Sequence, residues 1–322
     1  MRVLITGGFG YLGGRVAQVL AVHGGCEVLL GSRTQVGSPT WLPQATAIYT
    51  PWESGQGLQD ICAGVDTIVH LAGMNERECS ADPVAALAFN ALGTARLLHA
   101  AMKQGVRRMI YVSTAHVYCS PLIGVVSEET CPVSLHPYAS SHRAAEDVLC
   151  GAHQRDEIEA IVVRLSNAFG APAHKDANCW MLVINDLCRQ AVTTKRMILR
   201  SSGLQRRDFI PVSDVGHAIL HLLHLPRQAV GIGIFNLGGN WSPTIWDAAS
   251  LVRDLCKETL GFDAELTCIP PSKDEISGDL TYCIDSLLHT GFRLVSDRCQ
   301  EIRQLLRFTH SSLQSGLKVV VE

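Results

Sequence analysis

Short apolar runs recur along the first half of the chain, spaced so that one helix fits between each pair. Residues 3–6, 27–30, 67–72, 108–113 and 160–165 are rich in aliphatic and β-branched side chains and show little alternation with polar ones. A strand that is apolar on both sides belongs in a parallel sheet covered on both faces. Between the runs the period lengthens. Val16, Val19 and Leu20 fall on one helix face, and Leu87, Ala91, Thr94, Ala95 and Leu98 fall on another, in a helix continuing to about Lys103. Repeated strand–helix units predict an α/β fold, a doubly wound parallel sheet with its ligand at the carboxyl ends of the strands.

The pattern loosens after Leu165. Runs at 197–199 and 233–237 read as strands isolated between helices, and Thr244-Ile245-Trp246-Asp247 has the form of a capping box opening another helix. Residues 1–165 are therefore expected to form the sheet domain, and residues 166–322 a smaller lobe closing over the cleft. With no internal repeat, low-complexity tract or flexible linker, the two parts should share an interface.

Composition narrows the classes. Of 322 residues 47% are hydrophobic and 18% charged, too apolar for a disordered chain and enough for a sizeable core. A formal charge of -3 and the lack of a basic run give no case for nucleic acid. Met1-Arg2-Val3-Leu4-Ile5-Thr6-Gly7 reads as a strand entering a glycine loop rather than a secretory signal, and no apolar run approaches the roughly 18–20 residues that cross a bilayer. The twelve cysteines form no Cys-x-x-Cys pair and no zinc-like spacing, so reduced thiols, no metal site and a cytoplasmic location are expected.

Chemistry enters at Gly7-Gly8-Phe9-Gly10-Tyr11-Leu12-Gly13, between the first strand and an amphipathic helix. Gly7 and Gly10 permit a tight turn and close approach to a pyrophosphate, Gly13 allows close helix packing, and the helix N-terminus favours the anion. This context predicts a dinucleotide site. At the end of the second strand an acidic residue would bind ribose hydroxyls, whereas an arginine pairs with a 2′-phosphate. The chain has Gly31-Ser32-Arg33, so Arg33 favours NADP over NAD unless it is only a solvated loop residue.

Tyr138 lies in His136-Pro137-Tyr138-Ala139-Ser140-Ser141-His142, Ser113-Thr114 ends a strand, and Asn90 lies in a helix. Together with the glycine loop, these residues resemble the extended branch of the short-chain dehydrogenase/reductase family. Its members are NAD(P)-dependent nucleotide-sugar epimerases, dehydratases and reductases on a Rossmann sheet. The resemblance implies that Tyr138 exchanges a proton with the reacting oxygen while Ser113 and Thr114 hydrogen-bond it. It also implies that Gly7, Gly10, Tyr11, Leu12, Gly13, Leu71, Ala72 and Gly73 border the cofactor, and that Asn90 shapes the site. Arg164-Leu165-Ser166-Asn167 and Gly203-Leu204-Gln205-Arg206-Arg207 resemble segments whose asparagine and arginine contact a nucleotide-sugar diphosphate, here Asn167 and Arg207. Alternatively, Arg207 is held by Asp208 or Asp214. A homodimer formed through the helices of Asn90 and Tyr138 is implied too.

Two departures matter. His142 stands one turn below Tyr138, where the family carries a lysine that favours tyrosinate and holds the nicotinamide ribose. Its imidazole can still bind a ribose hydroxyl but is mostly neutral near pH 7. Ala115-His116 stands where sugar dehydratases carry Asp-Glu, which argues against water elimination. The expectation is therefore an epimerase or 4-keto-sugar reductase. A reductase of another carbonyl and a dinucleotide-binding protein with weak or no catalysis remain as alternatives.

Overall fold

The computed structural model describes residues 1–23, 25–272 and 278–314. Seven parallel strands form one sheet in the spatial order Ile234–Leu237, Glu159–Leu165, Arg108–Thr114, Thr67–His70, Arg2–Thr6, Glu27–Ser32 and Thr46–Tyr49. Val3 pairs with Val28 on one side and Thr67 on the other. From these two central strands the chain proceeds outward in opposite directions, which opens a crevice at their carboxyl ends.

The unbroken apolar runs are explained by burial on both faces. Val3, Ile5, Val69, Ile110 and Val163 pack beneath the helices Tyr11–His23 and Val212–His224. Leu4, Ile68, Met109 and Val162 pack on the other side against Gly55–Cys62, Thr94–Lys103 and Pro137–Gln154. Each such aliphatic side chain contributes roughly 1.5–3 kcal/mol when fully buried. The sheet is thus a stiff frame for the loops at its carboxyl edge. A smaller core joins Val183–Thr194, Ile245–Leu260 and Arg298–Gln314 around Phe169, Met197 and Phe209.

Several elements differ from expectation. The 67–72 strand ends at His70. Thr46–Tyr49 is an edge strand whose half-exposed residues gave no apolar run. The 233–237 strand is not isolated: Ile234–Leu237 joins the main sheet, with Ile234 opposite Val162. Arg196–Ile198 likewise pairs with Glu265–Thr267. Residues after 165 therefore supply both the lobe and part of the sheet layer; of the range 166–322, residues 273–277 and 315–322 lie outside the described residues. Thr244 caps Ile245–Leu260 by accepting from the Asp247 amide.

The helical face expected through Leu87 is interrupted. Residues Leu87–Gly93 form a π-helical turn inside the continuous helix Pro83–Lys103. The wider turn shifts the phase, so Leu87 is exposed while Asn90 points inward. By length and composition this helix could cross a membrane, contrary to the reading of the sequence, but Asn90, Thr94, Leu97, Leu98 and Ala101 are buried against the protein.

Candidate active site

The crevice begins at the glycine loop. Gly7 has φ +69°, and a Cβ there would lie 2.9 Å from the backbone nitrogen of Ala72. A Cβ on Gly13 would lie 2.2 Å from the Gly7 carbonyl oxygen. Both contacts are with backbone, which cannot step aside, so glycine is required for the 7–13 turn to close against the 71–73 loop. The helix after the turn carries no acidic residue in its first turn, leaving its positive end available to an anion. The loop and helix therefore fit a dinucleotide diphosphate. Tyr11, Leu12, Leu71 and Gly73 line a cavity of about 410 Å³, whereas Ala72 packs against Gly7. The lobe reaches over this loop: the Tyr11 hydroxyl donates to the Gly170 carbonyl at 3.1 Å, and His174 Nε2 donates to the Phe9 carbonyl at 2.9 Å. Arg33 stands apart from the cavity, exposed, with its guanidinium 6.0 Å from the Phe89 ring centre.

Tyr138, Thr114, Ser113 and His142 all reach that cavity. Tyr138 occupies the first turn of Pro137–Gln154, where His136 Nδ1 accepts from its amide at 3.2 Å. Burial pushes its phenol up to about 12, and a hydrogen bond with Thr114 acts in the opposite direction. The Ser113–Thr114 pair divides. Thr114 serves Tyr138, but Ser113 donates to Glu146 at 2.5 Å. Glu146 pairs with Arg164 at 2.7 Å, each only 1% exposed, and Arg164 donates to the Tyr118 hydroxyl at 2.9 Å. Ser113 is thus bound into a buried structural network.

His142 lies beside Tyr138, ring centres 4.6 Å apart and planes at 68°. Its Nδ1 is 2.6 Å from the Tyr111 hydroxyl, and burial pushes its pKa down to about 4. Next to it, His70 is held between Thr6 at 2.6 Å and Thr94 at 2.8 Å, and burial pushes it down to about 3. Arg143 points away, pairing with Asp147 at 2.9 Å. Among the described residues, no ammonium or guanidinium forms a hydrogen bond, ion pair or ring contact with Tyr138 or His142. Among the described residues, the charge that the resemblance implies here is thus not found. Asn90 is a strut: its Oδ1 accepts from the Met74 amide at 2.8 Å and its Nδ2 donates to Ser141 at 3.0 Å, tying the 73–75 loop to the Tyr138 helix.

At the far end, Arg207 lines the cavity and is paired with neither candidate carboxylate. Asp208 accepts from Ser166 at 2.6 Å and the Gly239 amide at 2.9 Å, and Asp214 from the Val295 amide at 3.0 Å. Asn167 also lines the cavity, its Nδ2 donating to the Asp208 carbonyl at 2.9 Å. Arg207, Met181 and Val183 are shared with a second cavity of about 350 Å³ that adds Arg77 and Arg200, so the two adjoin. Sequence reasoning passed over Glu76, Arg77 and Tyr111, and took His116 only as a departure from the dehydratase Asp-Glu pair. The first two follow a central strand at its carboxyl end, where ligands of such sheets bind, and that placement was signal enough. His116 lines the cavity with its ring centre 6.5 Å from that of Tyr138.

The chain is 28% identical over 225 residues to the dTDP-D-glucose 4,6-dehydratase of Mus musculus, covering 69% of this chain and 61% of that protein. It is 29% identical over 274 residues to the UDP-glucose 4-epimerase of Azospirillum brasilense, covering 80% and 78%. Among solved structures it is similar to TunA, described as an NAD-dependent NDP-hexosamine 5,6-dehydratase involved in tunicamycin biosynthesis, with 27% identity, 98% of each chain covered and TM-score 0.73. Residues 3–238 match the model of the NAD dependent epimerase/dehydratase family. With a glycine cradle at the switch point of the sheet and a tyrosine–threonine pair facing it, the chain belongs to that family.

Proposed function

We propose that this protein transfers hydride between a nicotinamide dinucleotide and a carbon of a nucleoside-diphosphate sugar, as a 4-epimerase or, in the direction its charges favour, a 4-keto-sugar reductase. The observation carrying this reading is the pair of adjoining cavities, one lined by Tyr138, Thr114 and His142, the other by Arg77 and Arg200, with Arg207 on the wall they share. Guanidinium forks suit a diphosphate. When bound, the dinucleotide supplies or accepts the hydride. Tyr138, held protonated by burial, gives its proton to the oxygen of a carbonyl being reduced, Thr114 steadies that oxygen, and Asn167 with Arg207 orients the diphosphate. Oxidation of an alcohol needs the reverse transfer, for which a phenol at about 12 is a poor base at neutral pH.

Arg33, with no carboxylate from Gly31 to Ser38, supports NADP over NAD. Arg33→Asp should reverse the ratio of the two dissociation constants, and an unchanged ratio refutes that preference. Exposed Val84 (78%), Leu87 (50%) and Val148 (40%) on the helices of Asn90 and Tyr138 support a homodimer through that face. The scattered cysteines and the net charge of -3 support a cytoplasmic protein without nucleic-acid partners, and the burial of Asn90, Thr94 and Leu97 in the helix Pro83–Lys103 supports one without membrane partners.

The missing cation favours a second reading, a dinucleotide-binding protein with little turnover. Incubating the protein with a panel of nucleotide sugars and both cofactors, followed by mass spectrometry, separates the two. A changed sugar with cofactor consumed means net redox, and a changed sugar without consumption means epimerisation. Tyr138→Phe should abolish either while leaving cofactor affinity nearly intact. Cofactor binding with no sugar changed supports the second reading.

A further inference from the structure

We infer that Tyr111 locks His142 in one neutral tautomer, with the proton on Nε2 and that nitrogen presented to the cofactor cleft as a hydrogen-bond donor. This deepens the proposed function, because the acceptor it would meet is a ribose hydroxyl of the dinucleotide.

Tyr111 lies in the middle of Arg108–Thr114 and is 2% exposed. A buried phenol keeps its proton and needs an acceptor for it. Among the described residues, the one hydrogen-bond partner of its hydroxyl is His142 Nδ1 at 2.6 Å, with the rings stacked at 25°. The other nearby imidazole, His70, is engaged at both nitrogens by Thr6 and Thr94. If Nδ1 carried the proton, the phenol could accept it only by leaving its own hydrogen buried without a partner. The cost of an unmet donor disfavours that tautomer on the order of ten- to hundred-fold. An imidazolium meets the same conflict. The titratable groups around the ring and its partner give it no compensating carboxylate contact: Tyr138 on its own helix, Glu146 one turn further along and already engaged by Ser113 and Arg164, His116 after the strand, and His70 on the neighbouring strand.

The opposite edge of the ring faces the cleft. A Cβ on Gly73 would stand 3.8 Å from His142 Cε1 and Nε2, and Gly73 and His142 line the same cavity. Nε2 has no hydrogen-bond partner among the described residues. Tyr111 is therefore a positioning residue. It fixes a donor where the family has a cation, which preserves a hydrogen bond to the cofactor and omits the charge.

Long-range proton–nitrogen correlation spectra of the full chain labelled with 15N-histidine show which ring nitrogen carries the proton. A difference spectrum against His142→Gln identifies the resonances. For the wild-type protein without cofactor, the expected result is Nε2 protonated and Nδ1 bare, unchanged from pH 6 to 8. Tyr111→Phe should mix the tautomers or let the ring take up a proton toward pH 6, with cofactor affinity falling roughly tenfold and becoming pH-dependent. A proton on Nδ1 in the wild type overturns the inference, and so does an unaltered His142 pattern in a folded Tyr111→Phe variant. The wild-type spectrum decides even if that variant fails to fold. If the tautomer is as expected but no dinucleotide binds, the proposed function fails and the assignment stands.

Discussion

Replacing His142 with lysine should move the pH dependence of alcohol oxidation toward acid and leave carbonyl reduction nearly unchanged. In the native protein burial holds the Tyr138 phenol at about 12, with a neutral ring beside it. At pH 8 only about one molecule in ten thousand then carries tyrosinate, so oxidation should speed up about tenfold per pH unit. Reduction uses the protonated phenol and should be flat from about pH 6 to 9. An ammonium at the present 4.6 Å ring separation interacts with tyrosinate by about 3.6 kcal/mol at an effective dielectric near 20. Desolvating that ammonium in a buried position takes back part of this, leaving a downward shift of about one to two units. Oxidation at pH 8 should rise about ten- to hundred-fold, with reduction altered by less than about threefold. The assay is initial rates in both directions at saturating cofactor, using the sugar identified from the panel. Superimposable oxidation profiles for the two proteins would show that Tyr138 does not sense charge at position 142, and the reasoning would fail.

Two further outcomes concern stability. His70 and His142 are held at about 3 and about 4, below the ordinary histidine value, so the unfolded chain binds more protons than the folded one as acid is added. Their contribution is fully present above about pH 6.5 and is lost as pH falls from there, by up to roughly 1.4 kcal/mol per unit for each ring. Urea denaturation at pH 7 and pH 5 should differ by as much as about 4 kcal/mol, and His142→Asn should roughly halve the slope; a flat curve over that interval refutes this. Glu146→Ala leaves Arg164 buried without its carboxylate and should cost about 3–5 kcal/mol in urea, while a loss below about 1 kcal/mol would mean that water reaches the pair.

The central strands were legible because both faces are buried and most of their side chains are therefore apolar. The edge strand Thr46–Tyr49 and the returning strand Ile234–Leu237 were harder to place. One is half-exposed, and the other is defined by a partner some seventy residues away, for example Ile234 opposite Val162. A 3.6-residue period could not show the π turn that aims Asn90 inward. Within the site, the glycine loop and the Tyr138–His142 spacing are local and could be read directly. The division of Ser113 from Thr114 was legible and was missed, since adjacent strand side chains point to opposite faces. The same geometry places Tyr111 and Ser113, two residues apart on a strand, against His142 and Glu146, one turn apart on a helix. Both spacings are about 6 Å, so the two contacts form together. Recognising this needed the docking of helix on strand, which no local pattern carries.

The most direct measurement of hydride transfer over Tyr138 is a single turnover with dinucleotide carrying deuterium on the transferred position of C4, mixed with protein and a 4-keto nucleotide sugar. The expected result is a sugar product one mass unit heavier, with the label on the carbon that bore the carbonyl, and no such product from Tyr138→Phe. A reduced sugar without the label, or labelled product from the phenylalanine variant at the native rate, would contradict the assignment.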